Sequence, residues 1–419
     1  MRMWHRQHHP HRERLRGPGY FSRLGPGLIS GAADDDPSGI GTYVQVGAAQ
    51  GNQLLWTAPY VFPLVAAVQE ACARLALVTG TGLAATIRLR LPRPVLAIAV
   101  LAVAVANTVN IAADLGSMIA AARLLIPIPQ ILGVIVLAIV IAAMEIALPY
   151  RRYARILRWL CLSLLAYLGV LIVAKVDWPE VIRSTAIPSL DWSKATMLAL
   201  IALLGTTISP YLFFWQAAEE AEEEVGAMPD LSDSHIRAMR GDVLSGMASA
   251  VIGMFAIMAS AAATLHLAGI REVDTAEEAA RALQPLAGQT AGLLFAIGII
   301  GTGLLAVPVL AGSTAYAVSE TWGWQERQGR RPRIFALVIG GSMLIAIAMN
   351  VIGVPPMRFL FLAAVLNGLI APILVVIVWW LSRDRRLMGD WRSGRLSQTL
   401  LIATAVVMVL VPVLWLIAP

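Results

Sequence analysis

The sequence predicts an all-α polytopic membrane protein of about eleven spanning helices. Its apolar composition, the length of its apolar runs and the spacing of its arginines all point there. Hydrophobic residues make up 58% of the 419 and charged residues 14%, and the mean hydropathy of +0.72 lies far above that of an average soluble domain. Crossing about 30 Å of hydrocarbon takes roughly 20 helical residues. Runs of that length fall near 26–50, 54–76, 96–124, 131–149, 157–175, 195–216, 243–267, 287–317, 334–353, 357–381 and 398–418. They are continuous and rich in Leu, Ala, Ile and Val, without the period-2 alternation of barrel strands.

The elements follow in order. Residues 1–24 form a polar, Arg-rich arm with four histidines (His5, His8, His9, His11) and no apolar core of a signal peptide, and are expected to be a disordered arm. Arginines then cluster at 2–23, 74–93, 151–158, 237–240, 327–333 and 383–395, at every second connection between spans. The positive-inside rule therefore places the N-terminus in the cytoplasm and, with an odd number of spans, the C-terminus outside, in a plasma (inner) membrane. The net charge of +6 fits this orientation and contact with anionic lipid, and no nucleic-acid site is indicated. Cys72 and Cys161 fall in or at the ends of helices and suggest no disulfide framework.

Proline and glycine interrupt two spans at matching places, "DDDPSG" at 34–39 in the first and "GTTISPY" at 205–211 in the sixth. With spans one to five as one repeat (25–176), spans six to ten as a second (193–382) and an eleventh at 397–419, each break opens its repeat. Such pairing is a sequence-level sign of an inverted-repeat transporter with its substrate site at mid-depth. Unwound backbone there must be buried in protein or line a wet cavity. Three consecutive carboxylates, Asp34, Asp35 and Asp36, cannot all face lipid, since each costs a few kcal/mol at the centre of a span. Together with the carbonyls freed by the break, they suggest a cation site.

These residues also carry a family resemblance. "GPGLISGAADDDPSGIGTYVQVGAAQG" resembles the first span of the Nramp family of proton-coupled divalent metal transporters. "VQEACARLALVTGTGLA" (68–84), "NIAADLGSM" (110–118) and "LGTTISPYLFFWQ" (204–216) resemble its second, third and sixth spans. The resemblance implies a LeuT-like fold of two inverted five-helix repeats plus an eleventh helix, working by alternating access. Typical members read Asp-Pro-Gly-Asn at the first break and Met-Pro-His at the sixth. Asp36 and Pro37 match, while Ser38 and Gly39 replace the Gly and Asn. Ser209 stands at the metal-binding Met, Pro210 matches, and Tyr211 replaces the His. By position, Ala33 and Thr206 supply the backbone carbonyls offered to the ion.

The substitutions have a chemical meaning. Without the thioether the site loses its soft ligand, and an all-oxygen set suits a hard ion such as Mg²⁺ or Mn²⁺. The expected metal ligands are thus Asp36, Ala33, Thr206 and Ser209. Asp34, Asp35, Gly39, Tyr211 and Asn367 are candidates for a surrounding shell. Asp114 matches the family's acidic residue on the third span and is the candidate proton carrier. The Glu usually found three positions later is Ser117, and Asn107 and Asn110 are alternative hydrogen-bond partners for Asp114.

Glu70 and Arg74 are spaced for an ion pair within one helix. The acidic run 219–224 reads either as a solvated helix extension or as a cation-attracting vestibule. No nucleotide-binding motif and no nucleophile with its base appear, so the chain is not expected to be an enzyme. No cofactor is expected beyond the transported cation, and no obligate protein partner. The rival readings are a LeuT-fold transporter of another ion or small organic solute, and a non-transporting membrane sensor.

Overall fold

The computed structural model describes residues 26–147, 162, 164–174, 176–223, 231–322 and 331–419. The arm over 1–24 and Cys161 lie outside the described residues, and Cys72 is buried and free. The first span is two helices, α1 (Pro26–Asp34) and α2 (Pro37–Gln50). After it come α3 (Thr57–Thr79), a short α4 (Leu83–Arg90), α5 (Arg93–Ala122), α6 (Gln130–Ala147), α7 (Leu165–Val173) and α8 (Trp178–Ala186). The sixth span is again divided, into α9 (Lys194–Thr207) and α10 (Pro210–Glu223). It is followed by α11 (Asp233–Ala261), α12 (Ala291–Thr321), α13 (Arg331–Asn350), α14 (Pro356–Arg383) and α15 (Arg395–Ile417).

Among the described residues, eight helical stretches are long and apolar enough to cross a membrane. The gap from eleven has local causes. The first span is split into pieces of 9 and 14 residues, the fourth is described only as far as Ala147, and of the fifth only Leu165–Val173 is described as helix.

Both interruptions follow from the chain's own chemistry. Asp36 has extended backbone (φ −70°, ψ 170°) and caps α2 by accepting from the Gly39 amide, with Pro37 pre-set for the first helical position. At the second break Ile208 leaves the helical region (φ −106°, ψ 61°), and Pro210 opens α10.

The broken helices lie inside the bundle, α1 against α11 and α9 against α14. Both contacts need glycine. A Cβ on Gly31 would stand 2.6 Å from Gly246 Cα, and one on Gly205 would stand 2.6 Å from Gly368 Cα. Small residues let backbones meet where lipid supplies no hydrophobic drive. In contrast, α15 exposes Leu396, Ile402, Val406, Val409, Leu410 and Val413, an apolar face suited to hydrocarbon.

One end of the bundle gathers basic residues and is closed by ionic contacts. Glu70 Oε1 accepts from Arg74 on its own helix and from Arg240 Nε of α11 at 2.9 Å. Arg74 Nη1 also donates to the Trp391 carbonyl at 3.3 Å, and Asp242 Oδ2 accepts the Gly27 amide of α1 at 2.6 Å. The expected pair within α3 is thus part of a link between helices. At the same end, of the acidic run 219–224, Glu219 and Glu220 are buried while Glu222 is exposed, so only its farther part fits a solvated extension. The inward face of α10 carries the buried pair into the bundle. The opposite end is stitched by Gln45, which donates to the Arg271 carbonyl at 3.1 Å and accepts from the Val273 amide at 2.8 Å.

Candidate functional site

The two breaks meet, and the acids and hydroxyls that the sequence singles out converge there. Asp36 is 1% exposed, and its carboxylate is held by three donors with a fourth group, a hydroxyl, alongside. Oδ1 accepts from Ser38 Oγ and the Gly39 amide, both at 2.7 Å. Oδ2 accepts from Asn110 Nδ2 at 3.0 Å and faces the Tyr211 hydroxyl at 3.3 Å. That hydroxyl is closer to the Ala33 carbonyl, to which it donates at 2.9 Å. Ser209 Oγ donates to the Thr206 carbonyl at 2.5 Å. One carbonyl near the end of α1 and one near the end of α9 thus each meet a hydroxyl that flanks Pro210.

Further bonds join the four half-helices. Ser30 Oγ of α1 donates to Gln216 Oε1 of α10 at 2.6 Å. Between α2 and α9, Tyr43 and Thr207 share a 3.3 Å hydrogen bond, and Ser38 lies 3.5 Å from Thr206 Oγ1. Gly39 leaves little room, since a Cβ there would lie 3.2 Å from the Asp34 carbonyl oxygen and 3.4 Å from Thr206 Oγ1. Asn367 sits one step out, donating to Asn110 Oδ1 at 3.4 Å.

The remaining acids sit apart from this network. Both carboxylate oxygens of Asp34 are buried with no hydrogen-bond partner among the described residues, as is Oδ1 of Asp35. The Asp35 carboxylate rests against Gly253 of α11, where a Cβ would approach Oδ2 to 2.8 Å. Asp114 on α5 is fully buried, and its carboxylate is reached by the Ser38 backbone amide and by no side-chain donor among the described residues. Neither asparagine proposed as its neighbour serves it. Asn107 donates to the Leu310 carbonyl, Ser313 and Thr314, and Asn110 to Asp36. Buried carboxylates without partners are costly in a membrane interior and mark functional positions by default.

Tyr211 is in direct contact with Asp36 instead of one layer away. Asn110 is the residue that sequence reasoning undervalued. Its position one helical turn before Asp114, on the same face of α5, was the available signal. Glu145 on α6 was missed altogether. Its Oε2 is buried without a partner among the described residues, and its Oε1 lies beside Gly312 of α12. A single acid near the end of an apolar run gave no pattern to find.

The oxygens that contact the Asp36 carboxylate are the hydroxyls of Ser38 and Tyr211, the latter also meeting the Ala33 carbonyl, while at the second break the Ser209 hydroxyl meets the Thr206 carbonyl. No group of three or more His, Cys, Asp or Glu with metal-binding geometry occurs among the described residues. Two broken helices that meet beside a buried carboxylate, inside a multi-span bundle, define a membrane transporter of LeuT-like fold.

Comparison with known proteins gives the family. The Nramp family, described as natural resistance-associated macrophage protein-like, matches residues 27–418, so the chain belongs to it. It is 30% identical over 386 residues to the divalent metal cation transporter MntH of Aeromonas hydrophila subsp. hydrophila, covering 90% of each chain. It is 29% identical over 396 residues to the protein of the same name from Pectobacterium carotovorum subsp. carotovorum, again covering 90% of each. Among solved structures, it resembles the Eremococcus coleocola manganese transporter in complex with an aromatic bis-isothiourea substituted compound. The TM-score is 0.75 at 19% identity, over 94% of this chain and 87% of that one. Mhp1, a nucleobase-cation-symport-1 family transporter, shares the fold with a TM-score of 0.58 at 14% identity, over 94% of each chain.

Proposed function

We propose that this chain is a secondary-active transporter that takes up a divalent metal cation by alternating access, with a hard ion such as Mg²⁺ or Mn²⁺ favoured. The observation that carries this reading is the buried Asp36 carboxylate at the first break, which the Ser38 hydroxyl meets from its own helix and the Tyr211 hydroxyl from beyond the second break, the same phenol reaching the Ala33 carbonyl. The relatives named divalent metal cation transporters supply the class of cargo. Asp36 is the charged ligand, joined by the Ala33 and Thr206 carbonyls and the Ser209 hydroxyl. Ser38, Asn110 and Tyr211 orient the carboxylate. The absence of sulfur and imidazole from this set favours an ion content with oxygen, and Mg²⁺ commonly keeps several of its waters.

Residues 25–176 and 193–382 act as two inverted repeats, with 397–419 as an added helix, and the basic end of the bundle faces the cytoplasm. Uptake then requires α1 and α10 to part from α11 and α3 at the basic end. Asp114 is the candidate proton carrier, because it is a fully buried carboxylate whose neighbour is the Ser38 backbone of the site itself.

The test is uptake of Mg²⁺, Mn²⁺ and Ca²⁺ into proteoliposomes holding the purified full-length chain, with an internal pH dye and Asp36→Ala in parallel. Divalent flux that disappears in the variant is the expected result, with acidification of the lumen if protons travel too. Wild-type flux that survives Asp36→Ala removes the assigned site. No flux of any of these ions removes the proposed cargo and turns the search to organic solutes.

A further inference from the structure

We infer that Tyr211, helped by Ser209, stands in for the cation when the transporter resets, so that its hydroxyl governs the return step in addition to facing the ion during loading. This inference rests on the reading of the chain as a cation transporter. Every alternating-access carrier that moves its cargo one way must return without it, and during that return the site passes again through a closed arrangement. Asp36 and the two carbonyls of the broken helices are then buried with no ion to neutralise them. Buried acceptors without donors are expensive, and in a membrane interior no bulk water replaces the missing donor.

The geometry contains the substitutes. The Tyr211 hydroxyl is fully buried and donates to the Ala33 carbonyl at 2.9 Å, with Asp36 Oδ2 at 3.3 Å as its second acceptor. Ser209 Oγ serves the Thr206 carbonyl at 2.5 Å. Both hydroxyls flank Pro210, which opens α10 and itself has no amide hydrogen to give, Ser209 from the break before it and Tyr211 from the first turn. A phenol carries a single O–H donor and is an acceptor as well. When a cation arrives, the hydroxyl turns its proton away, and the same oxygen then faces the ion. The exchange of one hydrogen bond for one ion contact lets α1 and α10 remain together in both halves of the cycle.

A residue that only ligates the cation would affect loading in every mode of transport. A residue that also replaces the cation slows, in addition, the modes that need the return without it, and so changes the ratio between modes. Net uptake into vesicles without the ion includes that return, whereas exchange of labelled for unlabelled ion in preloaded vesicles does not.

The experiment therefore measures labelled Mn²⁺ in both modes with the full-length chain in proteoliposomes. In Tyr211→Phe the ratio of exchange to net uptake should rise about tenfold over wild type, the order expected for one buried acceptor left without its donor. Ser209→Ala should move the ratio the same way by a smaller factor. Tyr211→p-aminophenylalanine, which keeps a donor at the same reach, should bring the ratio back toward wild type and separates the donor's role from simple packing. An unchanged ratio in both Tyr211→Phe and Ser209→Ala overturns the inference while leaving the transport reading intact, and so does a failure of the donor-retaining variant to restore it. Absence of wild-type flux in both modes overturns the transport reading and this inference with it.

Discussion

Gly31→Ala tests whether the first half-helix is a separately movable part. In the structure α1 lies so close to α11 that a methyl group on Gly31 would stand 2.6 Å from Gly246 Cα, where ordinary contact begins at 3.4 Å. The obstacle is backbone, so no side-chain rotation relieves it, and α1 must retreat by roughly 1 Å. Overpacking of this kind costs on the order of 1–3 kcal/mol. The cost falls mainly on the closed arrangement of the basic end, because α1 has only 9 residues and is already disconnected from α2 at Asp35 and Asp36. A bias of that size changes the open-to-closed ratio about 5- to 150-fold. Hydrogen exchange by mass spectrometry on the purified protein should show faster exchange over 27–34 and 242–250, including loss of the 2.6 Å bond from the Gly27 amide to Asp242. Gly340→Ala, where nothing lies within 4 Å of the added carbon, is the control. Unchanged exchange in both segments, with an unchanged melting temperature, would refute the reasoning.

Two further outcomes follow from the same contacts. Removing Glu70 strands Arg74, whose side chain is 5% exposed, whereas Arg240 is 46% exposed. Glu70→Ala should therefore cost about 3–5 kcal/mol of stability and Arg240→Ala under about 1 kcal/mol, a difference visible in thermal unfolding in detergent. Equal effects would mean that the contact does not seal the basic end as described. At the site, Asn110→Ala deletes a donor to Asp36 and should weaken Mn²⁺ binding about tenfold by calorimetry. Asn107→Ala, whose amide serves α12 instead, should lower stability and leave affinity alone.

Much of the architecture follows from local chemistry that a sequence displays. Apolar runs long enough to span a bilayer must become helices there, since lipid satisfies no backbone group. Asp36–Pro37 and Ser209–Pro210 are where helices break, because proline lacks the donor there and a capping or polar residue precedes it, whereas Pro63, Pro308, Pro372 and Pro412 sit within continuous helices. Hence the spans, the breaks and Asp36 at the first break could be read directly. The Glu70–Arg74 pair was equally visible, being four residues apart on one helix.

Contacts between distant segments were beyond that reach. Sequence alone could not show that the Tyr211 hydroxyl meets the Ala33 carbonyl 178 residues away, or that Asn110 turns to Asp36 and leaves Asp114 without it. It also could not show that Glu219 and Glu220 are buried, since the same acidic run fits a solvated helix equally well. Side-chain direction depends on how a helix is rotated in the bundle, and that rotation is set by close approaches such as Gly31 to Gly246 and Gly205 to Gly368. The sequence by itself therefore determined that the chain is a helical membrane protein interrupted twice around an acid, because composition and proline act locally. Which oxygens share that acid, and which carboxylates are left without partners, was decided only by tertiary packing, because those distances depend on every helix at once.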